Sequence, residues 1–382
     1  MIELSKIHQK DDVMKKERDS GIELLRIFAM FLVIGVHALN YGDFFDMARD
    51  AGGSSGSSAL LIKIAARSAV NIFVVISGYF MIHSAFNLKK SYRRAWDTYI
   101  KIFFYSVVLS VIFIALGSEY CIYGKSVMPV GKIILRGLFP ISCQQWYFLT
   151  DYFLLCLLAP FLNLGVEKLT QNHYAVLLFV LTFIFSIWMT LYYIEPFRYW
   201  FIIYGYNDIP GGKNVFSFVY LYLVGGFIGK FQKKREKPNF LYLLFAAMSV
   251  VLNYFLYTRL DKSVGYRDTA MNYTNPLVIL FAVFLLLFFK DLHFKSKIIN
   301  LFASTTIGVY AVHEFPFVRN IVWDIFDFKK IGDSGMLLNT LRLVGVILAV
   351  FFCGAVVDLL RQQLFKLAGC LKSRIKKKKI AE

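Results

Sequence analysis

Residues 21–41, GIELLRIFAMFLVIGVHALNY, form an apolar run about the length of one bilayer crossing, yet they carry Glu23, Arg26 and His37. Ionisable groups inside a membrane span are costly and therefore mark sites where chemistry or transport is expected. Arg26 and His37 are eleven residues apart, which at about 100° per residue returns to nearly the same helix face. At about 1.5 Å per residue they sit roughly 16 Å apart along the axis. One helix face thus offers a cation near one membrane surface and an imidazole near the other. That arrangement suits a long anionic molecule threaded along the helix with its reactive end at His37. A neutral imidazole there could take a proton from a hydroxyl. A histidine hydrogen-bonded between helices for packing would occupy the same position. Arg26 could clamp phosphates through paired N–H donors, or snorkel to the membrane edge, with Glu23 one turn away as a partner.

Further candidates lie along the chain. Ser77, Gly78 and Tyr79 interrupt the β-branched run VVISGYF, which permits close helix approach or a local break. Asp151 falls inside an apolar span, where a carboxylate needs a partner; it could orient a catalytic imidazole or line a polar path. His313 and Glu314 lie together in IGVYAVHEFPF, and Pro316 loosens the helix beside them. Neighbouring residues point in different directions, so at most one of the two is expected to contact a substrate. Arg93 and Arg94 could bind an anionic donor or act as topology determinants. The tryptophans at 146, 200 and 323 fit an interfacial belt. Cys121 and Cys143 share an outer loop and could pair. No Gly-rich phosphate loop, GxSxG elbow or metal-ligand cluster is visible, so no metal is expected.

These residues must be positioned by membrane helices. The 382-residue chain is 58% hydrophobic and only 18% charged, too apolar for a soluble domain of this size. Apolar runs at 21–41, 60–82, 98–116, 145–164, 174–194, 215–231, 239–257, 272–289, 302–322 and 337–360 predict an all-α polytopic membrane protein of about ten spans. The first span has no small-residue cleavage site after it and reads as retained. Residues 1–20 read as a polar tail, 21–360 as the membrane domain and 361–382 as a basic tail. AGGSSGSSA at 51–59 reads as a flexible loop, and VGKIILRGLF at 130–139 as a short interfacial amphipathic helix. The net charge of +18 could indicate nucleic acid, but its position decides otherwise. The termini and even-numbered loops hold more than twice the Lys and Arg of the odd-numbered loops, where basic and acidic residues balance. The positive-inside rule then places both termini in the cytosol, with Arg26 near the cytosolic face and His37 near the outer face of a plasma membrane. The basic segments can meet anionic lipids or metabolites.

Together these stretches resemble the acyltransferase-3 family of integral membrane acyltransferases, from about residue 18 to 360. Arg26 and His37 are similar to the family's paired signature in the first span. FVVISGYFM at 73–81 resembles its serine-glycine motif. WYFLTDYFLLCLLAPFLN at 146–163, YLYLVGGFIGK at 220–230 and STTIGVYAVHEFP at 304–316 resemble its later spans. The resemblance implies transfer of an acyl group, usually acetyl, from cytosolic acyl-CoA to a hydroxyl of an envelope polysaccharide or its lipid-linked precursor. It implies that His37 is catalytic, that Arg26 helps hold the donor, and that Ser77, Gly78 and Tyr79 line the core of the site. Acyl-CoA is then a co-substrate and no cofactor is bound. The family often carries Arg-x-x-Arg after the second span; here Lys90 precedes Arg93 and Arg94, and lysine lacks the bidentate fork. Trp146, Asp151, His313 and Glu314 are the remaining candidates for lining the path. The rival expectation is a transporter or flippase for lipid-linked glycans, in which the buried charges line a route and no bond forms; discontinuous helices would favour it.

This topology predicts that a cysteine placed within 230–237 stays unlabelled by an impermeant thiol reagent in intact cells, whereas one within 42–59 labels readily. Rapid labelling at 230–237 would reverse the orientation.

Overall fold

The computed structural model describes residues 19–84, 86, 88–195, 197, 210–260 and 264–381. Most of the polar tail at 1–20, Trp200, most of the loop 195–214, the side chain of Lys90 and those of the last basic residues lie outside the described residues. Nearly all of the rest is helix.

The run 21–41 folds as α1 (Ser20–Asn40). Asp19 caps it, its carboxylate accepting from the Gly21 N–H at 3.2 Å. The other carboxylate oxygen of Asp19 meets Lys234 Nζ at 2.7 Å. Burial alone would raise the pKa of Asp19, but the Lys234 and Gly21 hydrogen bonds more than offset this and hold it below the usual carboxylate range. Ser20 Oγ accepts from the Ser296 N–H at 2.8 Å and donates to Asn300 at 3.0 Å. The Arg26 end of α1 is therefore tied to the loops near 234 and 296.

α2 (Phe44–Ala51), α3 (Gly53–Ala66) and α4 (Ala69–Met81) follow. The Gly/Ser stretch is thus helical rather than a flexible loop, with the break confined to Gly52. Small residues there let α3 close on α2: a Cβ at Gly56 would lie 3.2 Å from the Ala48 carbonyl oxygen. α5 (Leu88–Leu116) begins ten residues before the apolar span it contains. Beyond it, a two-stranded antiparallel hairpin, β1 (Ile122–Tyr123) and β2 (Ser126–Val127), precedes α6 (Val130–Leu138), the expected amphipathic helix. Ile133 is buried while Ile134, Leu135 and Leu138 are exposed, as an interfacial helix requires.

α7 (Tyr147–Val166), α8 (Gln171–Thr182), α9 (Trp188–Tyr192), α10 (Val215–Phe231), α11 (Leu241–Arg259), α12 (Tyr266–Thr269) and α13 (Pro276–Phe289) carry the next spans. A π-helical turn at Phe183–Ile187 joins α8 to α9. The expected span 302–322 is not one helix. It is divided into α14 (Lys297–Ala303), α15 (Thr306–His313) and α16 (Pro316–Ile325). Pro316 has no N–H to give and bars helix through the residue before it. α17 (Phe328–Ile331) leads to α18 (Met336–Ala381), which continues through the supposed tail. Among the described residues seven helices are long and apolar enough to cross a membrane, and α10 and α13 are shorter apolar helices.

Contacts sort the loops by side. Loops near 234 and 296 gather at the Arg26 end of α1. At the other end the Phe328 N–H donates to the Gly42 carbonyl at 2.9 Å, and Asn320 donates to the Ile122 carbonyl at 2.7 Å. Trp146 and Trp323 are buried, 2% and 3% exposed, so they are packing residues and not a lipid-facing belt. Cys121 and Cys143 are free thiols; the Cys121 thiol donates to the Phe113 carbonyl.

α4 and α10 approach backbone to backbone. A Cβ at Gly78 would fall 2.0 Å from the Tyr222 carbonyl oxygen, and one at Gly225 would fall 2.0 Å from that of Val75. Gly78→Ala should therefore destabilise the protein by roughly 1–3 kcal/mol or more, read as a lowered unfolding midpoint in detergent. Gly345→Ala, where an added Cβ meets nothing within 4 Å, should leave it unchanged or slightly raise it. Equal midpoints for the two variants would overturn this packing.

Candidate active site

Three spaces that share lining residues follow one another along α1. At the Arg26 end lies a cavity of about 540 Å³, lined by Arg26, Ser77, Lys101, Tyr152, Arg361 and Lys366 among others. Met30, Phe73, Phe148 and Tyr310 line both this cavity and a neck of about 30 Å³. The neck reaches His37, which also lines a chamber of about 290 Å³ at the other end. The helical spacing that puts Arg26 and His37 on one face thus becomes a single path with a cation at one end and an imidazole at the far side of a constriction.

His37 is held by the broken span. His313 Nδ1 lies 2.6 Å from the Val309 carbonyl oxygen. A carbonyl only accepts, so Nδ1 carries the proton and Nε2 of a neutral His313 is an acceptor. That Nε2 is 3.0 Å from His37 Nδ1, so His37 donates from Nδ1 and its own Nε2 keeps a lone pair. Glu314 Oε2 is 3.1 Å from the same Nδ1, an ion-pair distance. It is off the hydrogen-bond direction and has no hydrogen-bond partner among the described residues. We read it as electrostatic support for a protonated His37. Glu314 Oε1 accepts from Arg319 Nη1 at 3.1 Å, and the Arg319 guanidinium lies over the Tyr41 ring at 4.5 Å. The arrangement is a base, an acceptor that fixes its tautomer, and a carboxylate anchored by arginine.

The end of α15 explains how adjacent residues both reach His37. Helix stops at His313, and Glu314 adopts φ −96° and ψ 0°. His313 is buried behind the imidazole, whereas Glu314 lines the chamber. α15 is seated by α18: a Cβ at Gly308 would collide with the Asp358 side chain. Asp358 in turn binds Arg361 Nε at 2.8 Å, Gln362 at 2.7 Å and the Tyr105 hydroxyl at 2.5 Å.

The other sequence candidates separate. Arg26 pairs with Glu23 at 2.5 Å and lines the larger cavity. Ser77 lines it too, while Gly78 packs on α10 and Tyr79 lines none of the three spaces. Trp146 lines the His37 chamber. Asp151 is buried but reaches neither His37 nor any cation among the described residues; Glu314 occupies the position beside the imidazole instead. Arg93 is exposed and Arg94 half-buried, and neither lines the path. Lys101, Arg361 and Lys366 do so instead. Lys101 sits one turn inside an apolar span, a signal available in the sequence. Arg361 and Lys366 fall in the stretch assigned to a tail, so the misplaced end of α18 hid them.

His37, His313 and Glu314 place ligating atoms within 4.8 Å of one another, so this trio could hold a divalent ion, although the sequence showed no metal-ligand cluster. His37 lies 276 residues before His313, so spacing in the chain does not bring the three together. The guanidinium of Arg319 on Glu314, with Arg67 and Lys213 lining the same chamber, opposes an added positive charge.

The fold and site define a helical membrane protein with a base at the junction of two polar spaces. Residues 19–358 match the family model described as acyltransferase domain, and the chain belongs to this family, the acyltransferase-3 family of membrane acyltransferases that its first and later spans resemble. No curated protein matches the chain. No solved structure matches it.

If Glu314 supports charged His37, Glu314→Gln should lower acyl transfer by about 10²-fold or more while donor binding at the Arg26 cavity is unchanged. Full activity of a folded Glu314→Gln protein would remove Glu314 from the mechanism.

Proposed function

We propose that the protein transfers a small acyl group, acetyl being the best fit, from acyl-CoA to a hydroxyl of a cell-surface polysaccharide or its lipid-linked precursor. The observation that carries the reading is His37 at the junction of the neck and the chamber. The donor's phosphates would bind among Arg26, Lys101, Arg361 and Lys366, where cations outnumber the Glu23 carboxylate. Its pantetheine arm would enter the neck along α1. A neck of about 30 Å³ has room for only about two or three waters, so side chains that line it, Phe73 and Phe148 among them, must move to admit the arm. A short acyl group suits such a passage better than a long one.

At the chamber the acceptor hydroxyl loses its proton to His37 Nε2 as its oxygen attacks the thioester carbon. The C–S bond then breaks, and the proton passes from His37 to the thiolate, leaving an ester and a free thiol. During the step His37 is positive, and Glu314 faces that charge. Both termini are cytosolic in this reading and about ten segments cross a plasma membrane. Supporting this, the basic segment near 234 and the cationic cavity lie at the same end of α1.

The transporter reading gains one observation, the discontinuous segment from α14 to α16. That break is accounted for by the delivery of His313 and Glu314 to His37, and the family match favours group transfer.

His37→Ala should abolish transfer, a loss of about 10²–10⁴-fold, while expression, insertion and acyl-CoA binding persist. Transfer by the native protein should survive EDTA, because Arg319, Arg67 and Lys213 oppose a divalent ion at the trio. Substantial glycan acylation by a well-expressed His37→Ala variant would overturn the catalytic role and move transport ahead.

A further inference from the structure

The His37 chamber is strongly cationic where its surroundings are not. The odd-numbered loops hold equal numbers of basic and acidic residues. Yet, among the described residues, the chamber is lined by Arg67, Arg136, Lys213 and Arg319 against the single carboxylate of Glu314. Arg319 is committed to Glu314. Arg136 Nε donates to the Gln145 amide at 2.8 Å and its guanidinium lies over the Tyr123 ring at 5.1 Å. Among the described residues Arg67 and Lys213 form no ion pair, and the buried Nε of Arg67 has no hydrogen-bond partner. They rest against aromatic rings instead: Arg67 at 5.9 Å from Tyr273 and Lys213 at 5.2 Å from Tyr147. Those two tyrosines join their hydroxyls at 2.9 Å beside His37.

Cations that outnumber their counter-charge repel one another, and the buried Nε of Arg67 has also lost its hydration, so the free protein keeps them there at a cost. A ligand that brings a negative charge removes that cost. The donor's phosphates have their own cations beyond the neck, so this charge belongs to the acceptor. Resting on the acyl-transfer reading, we infer that the acceptor carries an anionic substituent, carboxylate or phosphate, close to the hydroxyl that is acylated. Arg67 and Lys213 bind that substituent. The tyrosines and the Gln144 and Gln145 amides that also line the chamber supply the flat faces and neutral hydrogen bonds that a sugar ring takes. A chamber of about 290 Å³ is at the small end of ligand sites, so it takes one substituted ring rather than a long segment.

The test measures binding, which does not depend on turnover. Three probes share one ring: methyl glucoside, its uronic acid and its 6-phosphate. Ligand-detected NMR is run on the protein in nanodiscs, with acetyl-CoA binding measured alongside. At least one anionic probe should bind about tenfold more tightly than the neutral one, and added salt should erode the difference. Preference for the uronic acid points to an acidic sugar, and preference for the phosphate points to a phosphorylated or lipid-phosphate acceptor. The Arg67→Gln/Lys213→Gln double variant should lose the preference, Arg67→Lys/Lys213→Arg should regain part of it, and acetyl-CoA binding should stay unchanged in both. Equal binding of neutral and anionic probes, or a preference that survives the double variant, overturns the inference. Loss of acetyl-CoA binding in the double variant overturns it too, because the cations would then serve the donor. If the anionic preference holds but His37→Ala still acylates glycan, the catalytic reading fails and the anion site stands.

Discussion

A base buried among apolar helices is useful only if one of its nitrogens is committed and the other is free. The contact between His37 Nδ1 and His313 Nε2 meets that condition, and much of the fold serves it. The proton on His313 Nδ1 is fixed by a backbone carbonyl of its own helix, which costs no further side chain. The tautomer of His37 is thereby set by the end of α15, not by an exchangeable surface group. Glu314 then has one oxygen left for the charge that appears when His37 accepts a proton, because Arg319 holds the other.

This constraint accounts for the broken segment. An unbroken helix would separate His313 and Glu314 by about 100° and bring at most one of them to α1. Ending the helix at His313, with Pro316 opening the next, brings both to the same nitrogen. The break must be held rigidly. Gly308 lets the Asp358 side chain lie against α15, and Asp358 is itself fixed by Tyr105, Arg361 and Gln362. Arg361 and Gln362 line the cavity at the Arg26 end. One carboxylate therefore connects the seating of His313 to the wall of the other cavity.

Much of this was legible in the sequence because it is local. Apolar length located α1, α7, α10 and α11 within a few residues, and eleven-residue spacing put Arg26 and His37 on one path. Ionisable groups in apolar runs marked His313 and Glu314 as well. Three features were not legible. The Gly/Ser stretch 51–59 has loop composition, but packing against α2 makes small residues an asset in a helix. The basic end of α18 reads as a tail because its hydropathy falls away there, whereas the helix itself continues to Ala381. Asp151 and Glu314 have the same kind of local sequence, and only the packing of α15 against α1 decides which meets the imidazole. The cations of the chamber are the clearest case: Arg67, Arg136, Lys213 and Arg319 come from four separate stretches, and nothing in their spacing foretells that they meet.

The neck is the remaining physical question, and its narrowness follows from where the chain sits. An open polar path between the two cavities would join the aqueous phases on either side of the membrane and let ions and protons leak. Met30, Phe73 and Phe148 close it with apolar surface, which a charged or hydrated species crosses only at high cost. The thin, largely uncharged arm of the proposed donor would be a better match, since it would replace apolar contact with apolar contact and leave its phosphates among Arg26, Lys101 and Lys366. In the proposed reaction the threaded arm would bring its carbonyl to His37 while its own length fills the neck and keeps water out of it. In the proposed transfer the seal against leakage and the shield around the thioester would be the same set of side chains, and opening them for one donor at a time would let a membrane barrier and a transferase occupy one channel.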